Sequence, residues 1–242
     1  MHTDLGPTDW GHVDLGHDDP HAVYILDLDG TVLSTNSFPH WVFYLMRAPF
    51  PRVGMIRRLS ISGLAAAMLM QRKLRLTGHE SFKWRLQRLW QAATDGDGGA
   101  GAQGFVRRMV DYVRPELRPV LAAAACGRID AVMATAAPAD YAQPLGAAVG
   151  VADVLATPTL RPIGEPSNVG QQKCQSVLRF LASRGWQNRR RVLFTDHEDD
   201  LPLIGVCDAV HWFGSEAGRA KISRTWPKVS IRSGFAEAGN EQ

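Results

Sequence analysis

Residues 23–28 read VYILDL, and the first four are apolar without alternation. A strand with one buried face alternates polar and apolar side chains. A continuous apolar run has both faces covered, as in a parallel sheet flanked by helices. This run, a predicted strand over 21–28, closes on Asp27 and Asp29, followed by Gly30 and Thr31. Two carboxylates so close repel each other and are costly to desolvate, so their position at the mouth of a buried strand calls for a cation or a pairing partner.

The rest of the chain supplies a sheet for this strand. After Pro115 the pattern predicts a helix at 116–126, a strand at 129–135, and a helix from Pro138 with Tyr141, Leu145, Ala148 and Val149 on one face. A short strand at 153–156, a helix at 170–184, a strand at 191–195, a helix at 199–206 and a strand at 209–213 follow. Alternating strand and helix is the signature of a doubly wound parallel sheet. Residues 38–113 read as helical throughout: Phe82, Leu86, Leu89 and Trp90 mark one apolar stripe, and Phe105, Val106, Met109, Val110 and Val113 another. The stretch 94–104 reads as a flexible loop between them. Its Asp95 and Asp97 resemble a calcium loop, but Val106 stands where that loop needs Glu.

Active sites of such sheets lie beyond the carboxyl ends of the strands. Asp27 and Asp29 end the first strand, Thr135 the second and Asp196 the strand at 191–195, while Lys173 lies near the start of a helix. Three carboxylates and one ammonium at a strand rim suit Mg²⁺ with phosphoryl transfer, a reaction that needs positioning and charge neutralisation more than covalent machinery.

Four ordered motifs carry a family resemblance: DLDGT at 27–31, VMAT at 132–135, Lys173 within NVGQQKC, and TDHEDD at 195–200. Together they resemble the haloacid dehalogenase-like phosphatases, in the phosphoserine phosphatase-like branch. The resemblance implies an α/β class: a Rossmann-like, doubly wound parallel sheet with an inserted all-α cap. The core is expected at 20–36 and 114–242, the cap at 37–113, and a mobile tail at 1–19. It also implies the roles. Asp27 is the nucleophile that forms an aspartyl-phosphate, and Asp29 the general acid and then base. Asp27, the carbonyl of Asp29 and Asp196 hold Mg²⁺, and Asp200 orients Lys173 or a water on the metal. Thr135, the N–H of Ala136 and Lys173 bind phosphoryl oxygens. Gly30 permits the turn and Thr31 braces it.

Family members often have Gly-Asp in the fourth motif, whereas this chain has Thr195-Asp196, then His197, expected as a loop donor. The intact Asp29 argues for phosphate esters rather than carbon–halogen bonds. Residues 59–70, the longest weakly polar stretch, are too short for the membrane spans of a P-type ATPase.

Charge adds a second message. Between residues 47 and 90 ten Arg and Lys face Glu80 alone, although the whole chain is only +3. Such a block fits an anionic membrane surface, a phosphate-bearing substrate, nucleic acid, or simply solvated helix faces. No nucleic-acid reader motif accompanies it, so no nucleic-acid partner is expected. The expectation is a small phosphorylated substrate, a phospholipid phosphate or a compound such as phosphoserine, with peripheral contact to anionic membrane. Three unclustered cysteines and the lack of a basic n-region or apolar h-region suit a cytoplasmic protein, peripheral at the inner membrane face. The alternative is a silent binding protein on the same fold. Oligomeric state is left open.

Overall fold

The computed structural model describes residues 21–95, 99–159, 162 and 165–234; the tail expected at 1–19 lies outside them. Its strands are β1 (Ala22–Leu26), β2 (Asp130–Pro138), β3 (Asp153–Thr157), β4 (Arg190–Thr195), β5 (Ala209–Trp212) and β6 (Ser230–Ser233). They form one sheet in the order β3-β2-β1-β4-β5-β6, and every pairing is parallel. The order reverses direction at β1, so a crevice opens between β1 and β4 at their carboxyl ends.

The continuous apolar run of β1 is explained by its two neighbouring layers. Ala22, Tyr24 and Leu26 join one apolar cluster, while Val23 and Ile25 join the other. The second cluster is closed by α7 (Gln171–Ser183), α8 (Leu201–Ile204) and α9 (Glu216–Thr225), through Val177, Leu181, Leu203 and Ile222. The first cluster takes in α5 (Arg118–Ala125) and α6 (Ala139–Ala148) together with the inserted helices α1 (Ser37–Arg47), α2 (Met55–Lys73), α3 (His79–Asp95) and α4 (Ala100–Val110). The insertion therefore shares its apolar core with the sheet. The ring centroid of Trp41 on α1 lies 5.4 Å from that of Tyr141 on α6 and 5.6 Å from that of Trp90 on α3, both pairs tilted. Each such buried aromatic adds about 0.5–1.5 kcal/mol beyond its area.

Several boundaries differ from the sequence reading. The helical block is interrupted at 48–54, where Pro49 and Pro51 remove backbone donors, and again at 74–78. The expected loop at 94–104 is shorter, because Gly99 takes φ +80° and α4 begins at Ala100. The helix expected at 199–206 is a 3-10 turn, Glu198–Asp200, followed by the four-residue α8 with Pro202 in its first turn. Strand β2 runs on to Pro138, with its register to β3 broken between Ala134 and Pro138. Helix α9, capped by the Ser215 hydroxyl on the Gly218 amide at 3.2 Å, and the mostly exposed strand β6 had no counterpart in the pattern.

Candidate active site

The end of β1 delivers the first carboxylate. The Asp27 amide still bonds the Phe194 carbonyl at 2.9 Å, so its backbone is held by the sheet. Its Oδ1 accepts from Lys173 Nζ at 2.6 Å. Lys173, in the first turn of α7, also donates to Asp200 Oδ2 at 2.8 Å, and the Thr195 hydroxyl donates to that same oxygen at 2.6 Å. All four residues are buried. Burial raises the Asp27 carboxyl to about 7; Lys173 opposes the rise, and Asp200 and Asp29 add to it. Burial also works against the Lys173 ammonium, yet Asp200 and Asp27 together hold its pKa above the usual value.

The turn that follows is set by Gly30, at φ +78°. A Cβ there would also fall 2.0 Å from Asp196 Oδ2, so the position excludes a side chain on two counts. Thr31 donates to Asp196 Oδ1 at 3.3 Å. Arg114, where the chain returns from α4, donates to the Gly30 carbonyl at 3.0 and 3.2 Å. Asp29 turns its Oδ1 to the Ser37 amide at 2.7 Å, at the start of α1. Burial raises its carboxyl, with the Ser37 hydroxyl and amide opposing. Asp196 is likewise raised by burial, opposed by Thr31.

The end of β2 supplies hydrogen-bond donors. Thr135 Oγ1 accepts the Ala137 amide at 3.0 Å, which leaves its hydroxyl hydrogen to donate elsewhere. Asn168 donates to the carbonyls of Thr135 and Leu155 at 3.1 and 2.9 Å and so ties β2 to β3 where their register breaks. The Ala136 carbonyl accepts from Thr157 Oγ1 at 2.7 Å and from Lys83 Nζ, which crosses from α3. Lys83 also donates to Ser167 Oγ at 2.8 Å, and that hydroxyl donates to Glu80 Oε2 at 2.8 Å. Lys83 therefore does not belong to the solvated basic block in which the sequence places it.

One cavity of about 710 Å³ brings these groups together. Asp27, Asp29, Gly30, Thr135, Ala136, Lys173, Asp196 and Asp200 line it, and Thr31 is buried behind Asp196. His79, Glu80, Lys83, Arg114, Ser167 and His197 complete the wall. His197 braces its loop in both senses: its amide donates to Thr195 Oγ1 at 3.4 Å, and its Nδ1 accepts the Asp199 amide at 3.1 Å. The sequence reading missed His79, Glu80 and Lys83 as site residues, although their spacing puts them on one turn of a helix. It missed Asn168 and Ser167 too, although NVGQQK begins at Asn168.

The donor set can be tested against a divalent cation. It is all oxygen, and burial raises three of its carboxyls, Asp27, Asp29 and Asp196, so added positive charge is what the cluster lacks. Among the described residues no three His, Cys, Asp or Glu side chains close into a cage. Mg²⁺ does not need one, since it binds through one or two carboxylates, waters and substrate phosphate. Asp27 and Asp196 fit that requirement. Asp200 is turned to Lys173 and Thr195 through Oδ2.

A family model described as haloacid dehalogenase-like hydrolase matches residues 24–204. No curated protein matches the sequence. Solved structures with the same fold include a protein of unknown function from Bordetella pertussis Tohama I, at 17% identity and TM-score 0.65, covering 88% of this chain and 99% of that one. A HAD family hydrolase from Salmonella enterica serovar Typhi matches at 14% identity and TM-score 0.53, covering 83% of this chain and 65% of that one. A probable phosphoserine phosphatase from Vibrio cholerae matches at 11% identity and TM-score 0.55, covering 96% of this chain and 64% of that one. The chain thus spans just under two thirds of the length of the last two.

Proposed function

The chain belongs to the haloacid dehalogenase-like hydrolases, and from that premise we propose that it is a magnesium-dependent phosphomonoester hydrolase that carries the phosphoryl group on Asp27 between two half-reactions. The observation that carries this reading is the different company of the two strand-end carboxylates. Asp27 sits on the Lys173 ammonium at 2.6 Å, which favours the ionised, nucleophilic form. Asp29 is raised by burial, a rise that the Ser37 amide opposes without cancelling, and the net rise favours the protonated, donating form.

Asp27, Asp196 and the Asp29 carbonyl would hold magnesium, which would supply positive charge to the phosphoryl oxygens and favour the ionised forms of Asp27 and Asp196. In the first half-reaction an Asp27 carboxylate oxygen bonds to phosphorus as the ester P–O bond breaks, and Asp29 gives its proton to the departing alkoxide. In the second, Asp29 takes a proton from water as the water oxygen bonds to phosphorus. The bond from phosphorus to Asp27 breaks, and inorganic phosphate leaves. Lys173, the Thr135 hydroxyl and the Ala136 N–H steady the charge on the phosphoryl oxygens throughout. Asp200 and Thr195 hold Lys173 in place.

The substrate class is a small phosphomonoester, with phosphoserine and lipid-borne phosphates as candidates. The wall of His79, Glu80, Lys83 and Arg114 suits a leaving group with polar or charged substituents. The test is phosphate release from a panel of phosphoserine, sugar phosphates, nucleotides and micellar phospholipid phosphates, with Mg²⁺ or with EDTA, by wild type and Asp27→Asn. Release that needs magnesium and is lost in the variant is expected. Undiminished release by Asp27→Asn overturns the mechanism.

A further inference from the structure

Helix α2 presents apolar side chains to solvent. A helix on the surface of a globular protein usually turns its apolar stripe to the core and its charges outward. Here Ile61 and Ala65 make the buried contact, while Ile56, Leu59, Leu64 and Met70, with Leu74 and Leu76 just beyond the helix, are 51–80% exposed. At about 100° per residue, Ile56, Leu59, Gly63, Ala67, Met70 and Leu74 share one outward face about five turns long. No charged residue of the helix falls on that face; Arg57 and Lys73 stand at its two flanks. From Arg47 to His79 the chain carries seven Arg and Lys and neither Asp nor Glu.

We propose that this face docks on an anionic lipid bilayer, with α2 lying in the plane of the interface. A contiguous exposed apolar face of this size marks an interaction site. Among the described residues no helix is long and apolar enough to cross a membrane, so the contact is with the surface. An apolar face with cationic flanks matches the two layers met there: acyl chains below and anionic headgroups beside them. A second copy of this chain is the poorer partner. Two-fold pairing of α2 would bring a basic segment that has no acidic residue against its own copy.

The docking face also leads to the cavity. Leu76 lies three residues before His79, and His79 and Glu80 form the wall on the α3 side. That length of chain reaches at most about 11 Å. Docking therefore holds this wall close to the headgroups and brings lipid-borne phosphomonoesters to the site, a consequence that rests on the phosphatase reading above.

The test is flotation of the full chain with vesicles of phosphatidylglycerol and phosphatidylcholine, and with phosphatidylcholine vesicles alone. Wild type and Asp27→Asn are both used, so that binding is read without turnover. Binding to the anionic vesicles at least about tenfold tighter than to neutral ones is expected. The double variant Leu59→Glu/Met70→Glu should lose about tenfold or more, with unchanged hydrolysis of soluble p-nitrophenyl phosphate. Lys73→Glu/Arg75→Glu should weaken binding while leaving the apolar face intact. Absent binding, or equal binding to both vesicle types, overturns the proposal. So does a stable dimer by sedimentation equilibrium that Leu59→Glu/Met70→Glu dissociates. Anionic-vesicle binding by a protein that releases phosphate from neither soluble nor lipid-borne phosphomonoesters supports the docking face and refutes the phosphatase reading alone.

Discussion

The Ser37 amide, the first of α1, donates to Oδ1 of Asp29 at 2.7 Å. The inserted helix thus begins on the carboxyl assigned as proton donor, and a bond from N–H favours that carboxyl's ionised form. Ser37 occupies the first helical position, and Asn36 before it is extended at φ −84°, ψ 117°, so Pro is sterically admissible there. Ser37→Ala removes the hydroxyl and Ser37→Pro removes the amide hydrogen as well. Each loss raises the Asp29 pKa, so the protonated acid persists to higher pH. The alkaline limb of kcat/KM should move up in two steps, further with Ser37→Pro than with Ser37→Ala. A profile that stays fixed or moves down counts against Asp29 as the acid.

Asp27→Asn should abolish turnover and raise thermal stability in metal-free buffer. The Asp27 carboxyl rises from 3.8 to about 7 on folding, chiefly through burial. The native state therefore holds a proton that the unfolded chain releases, and its stability falls as pH climbs through that window. The ionised side chain is most costly above pH 7. Melting curves should show Asn gaining a few degrees, about 1 kcal/mol, at pH 8.5 and little at pH 4.

The frame of the candidate site was legible because each of its members sits where the local pattern changes: Asp27, Thr135 and Asp196 at strand ends, Lys173 at a helix start. Lys83 and Glu80 were not legible. A lysine on a helix reads as a solvated charge, and only the placement of α3 over the end of β2 sends its ammonium to the Ala136 carbonyl. The same applies to β6, a short edge strand whose sequence SIRS has neither an apolar run nor clear alternation. The length of α2 was legible as part of a helical block. Its apolar outward side was not, since the sequence does not say which face the neighbouring helices take.

Lys83→Met should cost about 1–3 kcal/mol, because it strips the Ala136 carbonyl and the Ser167 hydroxyl of a shared donor and leaves Glu80 less compensated. The loosened peptide at Ala136 should also lower kcat/KM about tenfold. Thermal melts and steady-state kinetics on one soluble substrate read both effects.

Gly30→Ala meets two obstacles at once. The positive φ strains any L side chain by about 1–2 kcal/mol, and the new methyl collides with Asp196. Asp196 must move, so magnesium activation should weaken at least about tenfold together with kcat. Titration of activity with Mg²⁺ separates this from a simple loss of folded protein.

Outside the cavity lining, His211 stacks on Phe194 with ring centroids 4.4 Å apart and planes at 3°. Burial, with Arg232 and Arg190 nearby, lowers its pKa from 6.5 to about 4. A histidine depressed on folding is neutral in the native state while the unfolded chain takes up a proton. Stability is therefore complete above pH 6.5 and is lost as pH falls towards 4. The ring is part exposed, so solvent screening reduces the effect to about 1–2 kcal/mol. His211→Gln should flatten that slope in denaturant titrations between pH 7 and 4.5, whatever it does to stability at pH 7.

Strand β1 lies at the middle of the sheet although it comes first in the chain. Its flanking partners, β2 and β4, begin only at Asp130 and Arg190. A ribosome adding roughly 5–20 residues per second needs about ten to thirty seconds to travel from Leu26 to β4. Until β2 emerges AVYIL is an apolar segment with both edges unpaired, and until β4 emerges one edge still lacks its partner, a state that invites chaperones or aggregation. The helices of the insertion emerge meanwhile and can shield only the face that carries Ala22, Tyr24 and Leu26. Synthesis therefore makes the carboxylate proposed as nucleophile early and completes its surroundings late, when Lys173, Asp196 and Asp200 have emerged.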